Sequence, residues 1–270
     1  MNKKPETDLQ YALEQKWREI LLKDPTEENY AAAYAELHNF KLEHGDPRTG
    51  KEASGLYRGS VSFAGKAIAR LVGTGRDVLE IGCGDGSLAF LLAENGNRVV
   101  ATDVSDIALA VCNEEKDRRG VSQVTFAHGE ATKVDCPDEA FDYVISQDLV
   151  EHLPEDMMPA HLAEVRRVVR SRGSYVFWTP SKLYGHTSMG MHLKEYNLKE
   201  AMRAVEAAGF KAVWVDARWY KLGLILQVPS LANPFACVGE SVLGTLQIDR
   251  LPMAARQMLA PPILLRAIKR

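Results

Sequence analysis

At residues 77–86 a short apolar run breaks into three glycines spaced two apart. Asp77-Val78-Leu79-Glu80-Ile81 has strand character, and Gly82, Gly84 and Gly86 follow, with Cys83 and Asp85 between them. Glycines so placed let a chain turn sharply from a strand into a helix and let a ligand approach its backbone, which points to a nucleotide-binding α/β fold. The acids narrow this further. A pyrophosphate cradle depends on bare amide N–H groups and the positive end of a helix. Glu80 and Asp85 would set like charges a few Å from two phosphates, where one contact costs about 4 kcal/mol even at an effective dielectric near ~20. A cation is the better guest. The third glycine of a dinucleotide G-x-G-x-x-G pattern would also fall at Ser87, so an NAD-dependent oxidoreductase is the disfavoured alternative.

Downstream, Asn97-Arg98-Val99-Val100-Ala101-Thr102-Asp103 is a second short apolar strand ending in an acid. It lies about 20 residues on, where ribose hydroxyls need a carboxylate acceptor. Both signals fit a nucleoside without phosphates. The two segments resemble motifs I and II of the class I S-adenosylmethionine (SAM) dependent methyltransferases, and the resemblance runs through about residue 210. It implies SAM as cofactor. Glu80, Gly82, Cys83, Gly84, Asp85 and Gly86 would line its methionine end, Asp103 and Val104 its ribose, and Glu130, Ala131 and Gln147 the adenine and the reacting end. Gly129-Glu130-Ala131 departs from the family's G-D-A by one methylene.

The period of the chain agrees. Strands are predicted near 78–82, 98–103, 123–128, 141–146, 173–179 and 210–215, with helices near 86–94, 106–118, 158–170 and 197–209 between them. This alternation is the mark of a doubly wound parallel α/β sheet. The resemblance implies a Rossmann-like seven-stranded order, 3-2-1-4-5-7-6, with an antiparallel seventh strand, which the segment from Pro262 to Ile268 alone is placed to supply. The expected organisation is a helical appendage at 1–60, a SAM-binding core at 61–218, an insertion rich in Leu, Met and Pro at 219–261 that serves as a substrate cover, and the last strand at 262–270. In the appendage, Leu9, Leu13, Trp17, Ile20 and Leu21 recur at helical spacing as an apolar face.

Composition excludes little but removes some partners. A chain of 270 residues buries about three quarters of its unfolded surface, enough for one large α/β domain. A net charge of -3 and a pI near 6.2 give no global pull toward nucleic acid or acidic lipid. Arg166, Arg167, Arg170 and Arg172 read as a solvated helix end, and a nucleic-acid partner is not expected. Cys83, Cys112, Cys136 and Cys237 have no metal-finger spacing and read as thiols of a reducing compartment. No apolar leader opens the chain and no stretch reaches the roughly 20 apolar residues of a membrane span. The expectation is a cytoplasmic protein acting on a small-molecule acceptor, with its oligomeric state left open.

The chemistry-bearing residues cluster after the fourth strand. Asp148-Leu149-Val150-Glu151-His152-Leu153-Pro154 is similar to the E-x-x-E-H run by which ubiquinone-pathway O-methyltransferases and small-RNA 3′-end methyltransferases bind a divalent metal. With His192, the set Asp148, Glu151, His152 and His192 would suit Mg²⁺ or Mn²⁺. A similar run also occurs in metal-independent small-molecule enzymes, where it shapes the pocket wall, and the expectation here is metal-free. His152 and His192 are the predicted acid/base residues, since an imidazole titrates near neutral pH. Asp148, Tyr184, His186 and Tyr196 are predicted to line the acceptor pocket. Methyl transfer to an oxygen or nitrogen of a small or medium acceptor is the expected activity. A metal-assisted enzyme acting on a quinone-like, lipid or RNA 3′-end acceptor and a non-catalytic SAM-binding subunit stay open.

Overall fold

The computed structural model describes residues 5–45, 61–182, 191–215 and 262–270. Within them, seven strands form one sheet in the order β3-β2-β1-β4-β5-β7-β6. These are β1 (Asp77–Ile81), β2 (Arg98–Asp103), β3 (Val124–His128), β4 (Phe141–Gln147), β5 (Val169–Thr179), β6 (Phe210–Val215) and β7 (Ile263–Lys269). The seventh strand runs antiparallel to both β5 and β6, so order and direction are those expected. The helices are α1 (Pro5–Lys23), α2 (Glu27–His44), α3 (Phe63–Val72), α4 (Ser87–Glu94), α5 (Asp106–Arg119), α6 (Met158–Val168) and α7 (Leu198–Ala207). None among the described residues is long and apolar enough to cross a membrane. The insertion expected at 219–261 lies outside the described residues. The chain divides into two compact units, Met1–Asp135 with Ser188–Leu193, and Cys136–Thr187 with Lys194–Arg270.

In the first unit, β1, β2 and β3 pair in parallel. Val78, Leu79 and Ile81 of β1 are buried, and so are Leu88, Ala89, Phe90 and Leu92 of α4. Helix α5 begins at an N-cap, Ser105, whose hydroxyl accepts from the Ala108 N–H, and stops at left-handed Gly120. Helices α1 and α2 form an antiparallel pair, clasped by Glu36, which accepts from Lys16 at 2.8 Å and from the Trp17 indole at 2.6 Å. Leu21, Tyr30, Ala33 and Leu37 are buried on them.

The apolar face expected on α1 is only partly the buried one. Leu21 is fully buried, but Leu9 keeps 59% of its surface, whereas Gln10 and Glu14 keep 1% and 3%. The helix is thus turned about 100° from the orientation its leucines favour, one residue's rotation.

The second unit holds β4, α6, β5, α7, β6 and β7. Asn197 opens α7 with a capping box completed by Glu200, an arrangement worth about 1 kcal/mol. A second expectation fails here. The residues read as a basic helix end divide between two elements, since α6 stops at Val168 and β5 starts at Val169. Arg167 is held by Glu164, Asp138 and the Cys136 carbonyl, and Arg170 by Asp142. The β4–β5 register shifts between Phe141 and Tyr143, and Arg172 sits at φ +64. A Cβ at Gly173 would lie 2.8 Å from the Asp142 carbonyl. This irregular stretch, rather than continued helix, absorbs the arginines.

Candidate functional site

The glycine loop links the end of β1 to α4, and its amides already have partners. Gly82 and Cys83 donate to the Thr102 carbonyl at 2.8 and 2.9 Å, and Gly86 donates to the Cys83 carbonyl at 2.9 Å. Gly84 donates to Asp103 Oδ2 at 2.8 Å, and Ser87, the first residue of α4, to Asp85 Oδ1 at 3.0 Å. Four of the loop's amides and the first amide of α4 are therefore engaged, and the helix start carries its own carboxylate.

The three glycines serve different ends. All have positive φ, +75, +50 and +68 at Gly82, Gly84 and Gly86, a region that side chains disfavour. A Cβ on Gly86 would press to 2.9 Å from Cys112 Sγ and 3.2 Å from the Phe126 ring, so this glycine permits packing. A Cβ on Gly84 would meet nothing within 4 Å. It faces open space.

Asp103 ends β2, and its carboxylate ties the loop down. Besides Gly84 it accepts the Ser105 N–H at 3.0 Å. Burial raises its pKa against the pull of these amides, and a carboxylate has room for about four hydrogen bonds, which leaves lone pairs for ribose hydroxyls. Glu80 is 2% exposed, and its Oε2 finds no hydrogen-bond partner among the described residues. Burial first, then the charges of Asp85 and Asp103, push its pKa well above the ordinary carboxylate value. Three carboxyl groups thus crowd one loop, and a cation placed there relieves their repulsion.

At the end of β3, Glu130 and Lys133 close a turn by two backbone hydrogen bonds, with Ala131 half-buried inside it. Burial, and a hydrogen bond shared with the Glu27 carboxyl of α2, raise the Glu130 pKa. Glu27 also contacts His128 Nε2 at 3.2 Å, while His128 Nδ1 meets Asp106 at 3.1 Å. Farther along α2, His38 Nδ1 is 2.9 Å from the Ser105 hydroxyl. Burial of the ring and the Lys41 charge push its pKa down to about 4 against the opposing Asp85, so this imidazole is neutral at physiological pH. Glu27, His38 and His128 escaped the sequence reading, because no local pattern marks a residue brought to a strand end from another helix.

In the second unit, Gln147 closes β4 and donates to the Asp148 carboxylate at 3.1 Å. Asp148 is exposed and left-handed at φ +53, a conformation costing about 1–2 kcal/mol in a residue with a side chain. The one-turn helix Val150–His152 follows. It buries Glu151 and leaves His152 half-buried. Glu151 Oε2 accepts from the Thr179 hydroxyl at 2.9 Å, while Oε1 has no partner among the described residues. Burial, then the Asp148 charge, raise the Glu151 pKa well above the carboxylate range. The Glu151 carbonyl accepts from the Lys194 N–H at 3.1 Å, and Tyr196 bridges to Ser181. Tyr196 is 4% exposed, and burial drives its phenol up to about 12. His192 belongs to the first unit, where its carbonyl accepts from Arg18 Nε at 2.9 Å. Tyr184 and His186 lie outside the described residues.

A β3-β2-β1-β4-β5-β7-β6 sheet with an antiparallel last strand, carrying an acidic glycine loop after β1, is the class I methyltransferase fold. Residues 78–173 match the methyltransferase-domain family model. A protein of Mycolicibacterium smegmatis named a probable S-adenosylmethionine-dependent methyltransferase is 30% identical over 142 residues, 51% of this chain and 52% of its own. A ubiquinone biosynthesis O-methyltransferase of Dinoroseobacter shibae is 28% identical over 125 residues, 46% of this chain and 49% of its own. Among solved structures, an SAM-dependent methyltransferase of Aquifex aeolicus superposes with a TM-score of 0.51 at 21% identity, over 62% of this chain and 88% of that one. The chain spans about half the length of the curated relatives it matches.

Proposed function

We propose that the protein is an SAM-dependent methyltransferase that moves a methyl group to an oxygen or nitrogen of a small or medium organic acceptor. One observation carries the reading: the glycine loop has its amides engaged internally and concentrates Glu80, Asp85 and Asp103, so it favours a cationic nucleoside over a phosphate. The residues fit that group. Open space above Gly84 leaves room for its backbone-hugging part. Asp103 has lone pairs for two hydroxyls, and the Glu80 oxygen that lacks a partner among the described residues suits an ammonium. Glu130 and Ala131 would meet the base, and Gln147 the reacting end.

SAM, when bound, supplies a sulfonium methyl open to in-line attack. The protein's part is to hold the nucleophile in line, the largest source of acceleration in such a displacement. His152, half-buried beside Glu151, would take the proton of a hydroxyl acceptor, and His192 is the second residue proposed for that role. Asp148 and Tyr196 would border the acceptor. Burial raises the Glu151 pKa above the ordinary carboxylate value and its Oε2 accepts from the Thr179 hydroxyl, so Glu151 would serve as a hydrogen-bonding wall in a metal-free reaction.

Calorimetric titration with SAM, S-adenosylhomocysteine and NADH tests the cofactor. Binding of the first two with none of the third is expected, and the reverse would sink the reading. Transfer of a labelled methyl group to any acceptor in a cell extract distinguishes an enzyme from a SAM-binding subunit without activity.

A further inference from the structure

Glu27 and His38 stand about three turns apart on α2 and so share one side of it. Both reach the carboxyl ends of the strands. Glu27 meets His128 at the end of β3 at 3.2 Å, and His38 Nδ1 meets the hydroxyl of Ser105, just past the end of β2, at 2.9 Å. A nucleoside lies outside such strand ends, so α2 follows the edge where the cofactor is proposed to sit. Ser105 fixes the state of the ring. It is 1% exposed, and its hydroxyl oxygen accepts the Ala108 N–H at 3.3 Å. The hydroxyl hydrogen needs an acceptor, because a buried one without a partner is costly, and His38 Nδ1 is the acceptor in reach. A neutral imidazole that accepts at Nδ1 carries its proton on Nε2. This ring is neutral at physiological pH, its pKa pushed down to about 4 by burial first and then by Lys41. Nε2 has no hydrogen-bond partner among the described residues, and the ring keeps part of its surface. An N–H donor is thus on offer beside the acid assigned to ribose, for Asp103 Oδ1 accepts the N–H of the same Ser105 at 3.0 Å.

We infer that His38 is a cofactor-binding residue supplied by the helical appendage, its Nε2–H donating to a ribose hydroxyl oxygen whose own hydrogen goes to Asp103. A hydroxyl both donates and accepts, whereas a carboxylate only accepts. Asp103 therefore satisfies the sugar's hydrogens and leaves its oxygens bare, and the imidazole supplies the missing donor. A neutral ring suits this place, because a protonated one would set its charge against the cation that Glu80 and Asp85 are proposed to attract. A site built to bond a hydroxyl also rejects an analogue that lacks it, so α2 takes part in choosing a ribonucleoside over a deoxyribonucleoside. The inference rests on the methyltransferase reading above.

The test uses the full chain and calorimetric titration with S-adenosylhomocysteine and its 2′-deoxy and 3′-deoxy forms. His38→Ala should weaken binding of S-adenosylhomocysteine about tenfold, the scale of one lost hydrogen bond. It should leave affinity for one of the deoxy forms unchanged, since that form lacks the hydroxyl concerned. His38→Gln, whose amide reaches the Nε2 position, should recover most of the loss. Equal weakening toward all three probes would assign His38 to packing and overturn the inference, as would unchanged affinity for S-adenosylhomocysteine. A second measurement needs no variant to fold. In nitrogen NMR of the unaltered protein with isotope-labelled histidine, His38 should show the Nε2–H tautomer, and that resonance should move when S-adenosylhomocysteine is added. An Nδ1–H tautomer or an unmoved resonance overturns the inference. Failure of S-adenosylhomocysteine to bind the unaltered protein overturns the methyltransferase reading and the inference with it.

Discussion

The two units build their sites from different materials. In the first, the strand ends around Gly84 and Asp103 work through backbone: amides, carbonyls and positive φ angles, all within 30 residues of sequence. In the second, the turn after β4 works through side chains, with the Glu151 carboxyl held by the Thr179 hydroxyl, 28 positions on. Backbone geometry accepts few substitutions and suits a ligand that never changes. Side-chain geometry is open to change at each position, and suits an acceptor that differs between enzymes.

The sharpest way to break this contrast is Gly84→Val. A β-branched residue at φ +50 is strained, and its side chain fills the open space above the loop. No calorimetric binding of S-adenosylhomocysteine is expected, with the helical circular-dichroism signal kept; normal affinity would mean that the loop holds no ligand. Next in size is His152→Ala, expected to slow turnover by roughly 10²–10⁴, the range of a true general base, and to leave cofactor affinity unchanged. In the same assay turnover should survive dialysis against EDTA. Loss of activity restored by Mg²⁺ or Mn²⁺, and a Glu151→Ala variant indifferent to either ion, would show a metal-assisted enzyme.

Asp103→Ala should weaken cofactor binding by about 1.5–3 kcal/mol for each charge-assisted bond lost. Asp103→Asn, which can still accept from Gly84, should lose less. Equal losses would trace the effect to the ribose contacts rather than to the loop. The smallest effect concerns pH. Glu151 has an ordinary pKa of 4.5 when unfolded and a much higher one when folded, so above pH 4.5 the folded state holds the proton more tightly, and stability falls as pH rises through that window. Glu151→Gln should flatten part of the decline in melting temperature as pH rises above 4.5; an unchanged slope would place the carboxyl in contact with water.

Much of the fold was legible because its signals are local. Val78 to Ile81 bury as an apolar run, and the glycine loop announces its own turn. The capped starts at Thr26, Ser105 and Asn197 each stand in three or four residues of sequence. What stayed hidden was decided at a distance. Nothing near Gln10 says that it is buried and Leu9 is not, because the choice belongs to whatever faces α1. Arg170 reads as the continuation of a basic helix until Asp142, 28 residues away in sequence, takes its charge into a strand. Glu27 and Glu130 form a carboxyl pair across about 100 residues, and neither neighbourhood hints at the other.

The place of β7 sets an order of events during synthesis. Ile263–Lys269 lies between β5 and β6, pairing with both, so β6 joins the sheet only through residues made some 50 positions later. A ribosome that has translated as far as residue 215 has released a β5 whose outer edge is bare and a β6 with no strand to meet. Such open edges invite pairing with other chains. Stalling or proteolysis ahead of Ile263 should therefore yield aggregates rather than a shortened folded chain.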